Sequence, residues 1–171
     1  MEYRIQNSKL KIKNSGISLL ELLIYIAIFA GLMVIVSDAF ISLSKGRGQS
    51  QARSEVNAAT RFATEKIRQD IKGASAVVAP ILGTASSTLN VTVGGVPIVY
   101  DVSDGQLRRN AIAVTGTSIF VSAPTFTRLE NYNAITQATT TAIQVAMTLR
   151  YNASSSDWTY SDSLRTTVSL R

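Results

Sequence analysis

Apolar and polar positions along the chain fall into three successive patterns. From Ile17 to Val36 the sequence reads ISLLELLIYIAIFAGLMVIV, in which Glu21 is the one charge and Ser18 the one small polar residue. Twenty helical residues reach roughly 30 Å, the hydrocarbon thickness of a bilayer. No proline interrupts the run, and a lone Gly31 is tolerated in membrane helices. A cleaved secretory signal has an apolar core of about 7 to 15 residues that ends at a small-x-small site. Here the apolar pattern continues through Phe40, Ile41 and Leu43 instead. This pattern predicts a retained membrane-spanning helix over 17–44, with its core from Ile17 to Val36.

The second pattern has helical period. Val56, Ala59, Ala63, Ile67, Ile71 and Ala74 recur every three or four residues, which makes one apolar stripe of an amphipathic helix over 45–73. Most of the charges around it (Arg53, Glu55, Arg61, Glu65, Lys66, Arg68, Asp70, Lys72) read as its solvated face. Gly46 and Gly48 each cost a helix about 1 kcal/mol relative to alanine, and are expected to form a flexible joint at the membrane exit.

From Ala74 the period becomes two. Leu89–Val93 alternates, Gly94-Gly95 is a turn signal, and Pro97-Ile98-Val99-Tyr100 follows, with Pro97 arguing for an edge or a strand start. Ser103-Asp104-Gly105 is a second turn, leading into Gln106–Arg109. Ala111–Val114 and Ile119–Val121 read as short strands. Ile143, Val145, Met147, Leu149 and Tyr151 share one face of a strand, as do Leu164, Thr166, Val168 and Leu170 of another. A polar connection, Asn152–Asp162, separates those two. The expected class is α+β: a long N-terminal helix, hydrophobic in its first half and amphipathic in its second, packed on a C-terminal antiparallel β-sheet domain over 74–171.

Composition then narrows the chemistry. Among 171 residues there is no cysteine and no histidine, and 46% are hydrophobic. Disulfides and thiolate metal sites are thereby excluded, and the commonest general base and metal ligand are missing. Lys66 and Lys72 lie on a charged helix and no motif frames a serine nucleophile, so no catalytic residues are assigned, no enzymatic activity is expected, and no cofactor is implied. Asp101 and Asp104 flank a turn and with Ser103 are the candidates for a hard cation, but six to eight oxygens are wanted and an Asp-Gly turn explains them as well; no metal site is assigned. The formal charge of +6 is divided: Arg4, Lys9, Lys11 and Lys13 stand against Glu2 before Ile17, leaving 13 basic and 10 acidic residues beyond. That remainder is only mildly basic. Arg108-Arg109 reads as surface charge, and no basic stripe interleaved with aromatics marks a nucleic-acid partner. The basic residues before the span slightly outweigh Lys45, Arg47 and Arg53 after it, favouring a cytoplasmic N-terminus.

Glu21 is the anomaly of the apolar run, since a carboxylate there costs a few kcal/mol unless it lies near the interface or finds a cation. A cut between Gly16 and Ile17 would create an α-amino group at a helix N-terminus, a site that attracts an anion. Either this chain's Glu21 or a neighbour's could supply it. Lys11-Ile12-Lys13-Asn14-Ser15-Gly16, followed by Ile17-Ser18-Leu19-Leu20-Glu21-Leu22-Leu23-Ile24, resembles the processing site of type IV pilins and type II secretion pseudopilins. The resemblance implies that residues 1–16 are a basic prepilin leader, that cleavage falls between Gly16 and Ile17, that Ile17 is N-methylated, and that Glu21 serves assembly. It departs from the family in having Ile17 where phenylalanine is commonest, and no proline before Pro80. More loosely, Arg68-Gln69-Asp70-Ile71, Tyr100-Asp101, Asp104–Arg109 and a last strand with Arg165 and Arg171 resemble the J-type minor pseudopilins and similar minor pilins.

The resemblance implies a structural subunit, a minor pilin or pseudopilin, anchored by one span in the cytoplasmic membrane with its C-terminal domain outside, then assembled into a pilus or pseudopilus fibre. Implied partners are other pilin or pseudopilin subunits, a prepilin peptidase and methyltransferase, and the membrane platform protein of the assembly machine. The alternatives are a pilin-like adhesin or DNA-uptake subunit, a major pilin, and a plain membrane-anchored ectodomain.

Overall fold

The computed structural model describes residues 18–135, 137–153 and 158–170. Helix α1 runs Leu19–Gly73. The chain divides into two compact units, with the boundary between Leu43 and Ser44. In the first unit every described residue is exposed. This part of α1 is long and apolar enough to cross a membrane.

The second unit combines the remainder of α1 with antiparallel strands in two sheets. One sheet has the neighbour order β1 (Ala74–Ala79), β3 (Leu89–Val93), β4 (Val96–Ser103), β5 (Gln106–Arg109) and β6 (Ile112–Ala113). The other has the order β10 (Ser161–Ser169), β9 (Ala138–Tyr151), β8 (Thr125–Asn133) and β2 (Ala85–Ser86), with β7 (Ile119–Val121) also pairing β9. The α+β class is as expected. The strands nevertheless form two sheets rather than one.

The core lies where the helical stripe meets both sheets. Val56, Ala63, Ile67 and Ile71 pack in one cluster with Leu89, Val91 and Leu107 of the first sheet and Phe126, Ile143 and Leu149 of the second. Each fully buried aliphatic or aromatic side chain contributes roughly 1.5–3 kcal/mol relative to exposure. The two period-two segments behave as predicted, with Ile143, Val145, Met147 and Leu149 buried along β9 and Val168 along β10. β3 and β4 pair through the Gly94-Gly95 turn, Val93 facing Val96. Pro97 sits at the start of β4, and the β5 partners of that strand begin only at Tyr100, so the missing proline N–H breaks no ladder there.

Three expectations are corrected. α1 passes through Gly46 and Gly48 without interruption, so they are not a joint in the helix. Gly48 has a packing role instead: a Cβ there would run into the Trp158 indole, whereas one on Gly46 meets nothing. Asp70 is not on a solvated face but buried, at 6% exposure. Arg109 is not free surface charge either, because it pairs with Asp70.

Candidate functional site

The apolar part of α1 carries one polar pair. The Ser18 carbonyl accepts the Leu22 N–H at 3.1 Å, which sets the first turn, and Glu21 lies in it. An acid in the first turn is favoured by the unpaired N–H groups at a helix N-terminus. The Tyr25 hydroxyl, one turn on, donates to Glu21 Oε1 at 3.0 Å. Spacing of four residues brings the two together on one face, a pairing that the sequence contained and that the reading of Glu21 alone overlooked. No cation reaches Glu21 among the described residues. Gly16 and Ile17, the residues of the expected cleavage and methylation, lie outside the described residues. Around the pair the helix surface is hydrocarbon: Leu22, Leu23, Ile24, Ile26, Phe29 and Leu32 are each at least half exposed.

The helix ends in a second polar cluster, of opposite character. Asp70 falls in the last turn of α1, where the helix dipole disfavours an acid. It is offset by two partners from the β4–β5 hairpin. The Tyr100 hydroxyl donates to Asp70 Oδ2 at 2.5 Å, and the Arg109 guanidinium donates to the same oxygen at 2.6 Å and to Oδ1 at 3.2 Å. Burial by itself raises the Asp70 carboxyl. The Arg109 and Tyr100 hydrogen bonds, with the charges of Arg109 and Lys66, outweigh it and hold the group below the usual carboxylate range. Burial first, and then the Asp70 carboxylate, push the Tyr100 phenol well above its ordinary value.

The hairpin geometry explains why these residues meet. Asp104 and Gly105 both have positive φ, 54° and 72°, as the tight two-residue turn requires. Ser103 then faces Gln106, Asp101 faces Arg108, and Tyr100 faces Arg109. Alternation sends Tyr100 and Arg109 to the buried face and Asp101 and Arg108 to the other. There Arg108 binds Asp101 through Nε at 3.2 Å and Nη2 at 2.5 Å. The Asp104 carboxylate accepts the Ser103 hydroxyl at 3.2 Å. Asp101 and Asp104, the sequence candidates for a cation, are thus engaged separately, and no group of three His, Cys, Asp or Glu gathers among the described residues. Asp70, Tyr100 and Arg109 are the residues whose joint role sequence reasoning missed. The available signal was that Asp70 lies three residues past Ile67, on the apolar stripe.

Compared with family models, curated proteins and solved structures, the chain matches none.

Proposed function

We propose that this chain is a fibre subunit of the type IV pilin and pseudopilin class, and within that class a minor, initiating or tip-proximal subunit. The observation that carries the reading is an apolar stretch left exposed among the described residues, with a carboxylate in its first turn, on the same helix whose later stripe is buried in a β domain. In a bilayer the apolar side chains contact lipid. In a fibre the same side chains contact the helices of sister subunits, so lipid contacts exchange for helix packing. Glu21 then needs a cation at its own depth. An α-amino group on Ile17, released by cleavage after Gly16, supplies one either within the subunit or from a neighbour.

On this reading the chain enters the cytoplasmic membrane with its leader inside and its β domain outside. A prepilin peptidase removes residues 1–16 and methylates Ile17. A membrane platform protein and its motor then transfer the subunit to the fibre. The experiment is N-terminal sequencing and intact-mass measurement of the mature protein, together with Glu21→Ala in the native host. The expected result is a chain beginning at methylated Ile17, with the variant processed normally but missing from sheared fibres. An intact Met1, or normal incorporation of the variant, overturns the proposal.

A further inference from the structure

The second sheet ends in an edge, β10, that no described strand covers. β10 pairs with β9 without a register shift from Ser161 opposite Arg150 to Ser169 opposite Ala142. At the two ends of this ladder the Leu170 N–H donates to the Thr141 carbonyl and the Tyr151 N–H to the Tyr160 carbonyl, both at 2.9 Å. Hydrogen-bonded pairs alternate along an antiparallel ladder. The even-numbered residues of β10 therefore bond to β9, and Ser161, Ser163, Arg165, Thr167 and Ser169 turn their N–H and C=O groups outward. All five are exposed, and no described group bonds to these outward main-chain atoms.

Natural edges are blunted by charges, proline, bulges or shortness. β10 runs nine residues with no lysine, proline or bulge, and its blunting is confined to two charges, Asp162 and Arg165. Among the other terminal strands, β1 carries two register shifts and is followed by Pro80, while β2 and β6 are two residues long. Asp162 stands half-buried on the inner face, and Arg165 on the outer face lies back over the sheet, where Nη2 donates to Gln144 Oε1 at 3.1 Å. Arg165 has no carboxylate partner among the described residues. Its face of the sheet also carries Arg150, while on the inner face Leu164, Thr166 and Leu170 are only half-buried.

We propose that β10 is an acceptor for an added β-strand from another polypeptide. That strand alternates apolar residues, which complete the cover over Leu164 and Leu170, with hydroxylated ones, and sets an acid opposite Arg165. Main-chain bonds supply affinity and the alternating side chains supply selectivity. A second copy of β10 is a poor occupant. The longest antiparallel overlap of two such edges places Arg165 against Arg165, and like charges directly opposed across strands repel. The proposal concerns the β domain and stands whether or not the chain enters a fibre.

The test uses the full chain in non-ionic detergent micelles and a nine-residue peptide alternating threonine and valine, with one central glutamate on the threonine face. At saturating peptide the amides of Ser163, Arg165 and Thr167 are expected to exchange roughly five- to tenfold more slowly, as for one net hydrogen bond each, while Leu164 and Thr166 change little. A peptide with lysine in place of the glutamate is expected to bind about two- to fivefold more weakly, and Arg165→Glu to invert that order. Thr167→Pro removes an outward N–H without touching the β9 ladder. It should abolish the slowing while leaving the urea midpoint, followed by Trp158 fluorescence, within the range of a surface substitution. Three results overturn the proposal: unchanged exchange at the outward amides, undiminished binding by Thr167→Pro, or concentration-dependent protection of the same amides without peptide, which would mean that a second copy is the occupant.

Discussion

Replacing Tyr100 by phenylalanine removes one oxygen atom from the interior of the β domain. The ring is fully buried and stays in place, so packing is conserved and the change isolates the hydroxyl bond to Asp70 at 2.5 Å. A hydrogen bond to a charged acceptor is worth roughly 1.5–3 kcal/mol. Asp70 keeps its two bonds from Arg109, which places the expected loss near the lower end, about 1.5–2 kcal/mol. Asp70→Ala goes further, because it strands the Tyr100 hydroxyl and breaks a pair whose acid is 8% exposed. Breaking a buried pair costs about 3–5 kcal/mol, and the Arg109 side chain, 30% exposed, recovers part of that through water, so a loss of about 3 kcal/mol is expected. The assay is equilibrium urea unfolding of the full chain in detergent, followed by the fluorescence of Trp158, its one tryptophan. Acidity supplies the internal check. The Asp70 carboxyl lies below its usual value of 3.8 in the folded chain and returns to it on unfolding. Its contribution is thus fully present above about pH 5 and is lost as pH falls through 3.8 and below. The stability difference between wild type and Asp70→Asn should be flat from pH 5 to pH 8 and shrink below pH 4. Tyr100→Phe as stable as wild type to within about 0.5 kcal/mol, or an Asp70→Asn difference that widens in acid, refutes the reasoning.

Other expectations concern single atoms. Gly105→Ala combines a positive φ with a Cβ that would overlap the Phe120 ring; the strain of the left-handed conformation, about 1–2 kcal/mol, and overpacking, about 1–3 kcal/mol, should both appear in its urea midpoint. Gly95→Ala, with a φ of +81° and open space, should show only the first part. Gly46→Ala is expected to stabilise the helix by up to about 1 kcal/mol. Gly48→Ala should not, and should instead shift the Trp158 emission, because its Cβ competes for the volume of the indole; equal stabilisation by the two would remove that contact from consideration.

How much of this was legible beforehand depends on whether the controlling interaction was local. The amphipathic stripe, the β3–β4 turn at Gly94-Gly95, the β4–β5 turn at Asp104-Gly105 and the alternation of β9 and β10 are short-range patterns, and the strands and helix they imply are present. β1 and β8 were passed over. β1 is nearly all small residues with little alternation, and β8 has Phe126 as its one buried residue, so its outer half shows no period. Their partners are close in the chain, β8 facing β9 from Asn133 opposite Ala138 and β1 facing β3 from Ala79 opposite Asn90, so it was the weak alternation that hid them. The division into two sheets, by contrast, is non-local. The Asp70 cluster was half legible: a two-residue Asp-Gly turn fixes Tyr100 opposite Arg109, and the stripe carries Asp70, but only the packed helix brings the two observations together.

The two acids at the ends of α1 stand in opposite surroundings. Asp70 stands at the terminus the helix dipole disfavours, is buried, and finds a fixed guanidinium and a phenol within the same domain. Its charge is balanced by the fold, and changing it should change stability. Glu21 stands at the favoured terminus, is exposed, and accepts one hydrogen bond from Tyr25. A phenol leaves a carboxylate charged and unneutralised, and in a hydrocarbon surrounding that state is costly. Changing Glu21 should therefore leave the unfolding of the β domain untouched and act on whatever the apolar surface meets. A Glu21 variant that lowered the Trp158 unfolding midpoint as Asp70→Ala does would erase this distinction, and with it the physical case for reading the first turn of the helix as a contact made with other molecules.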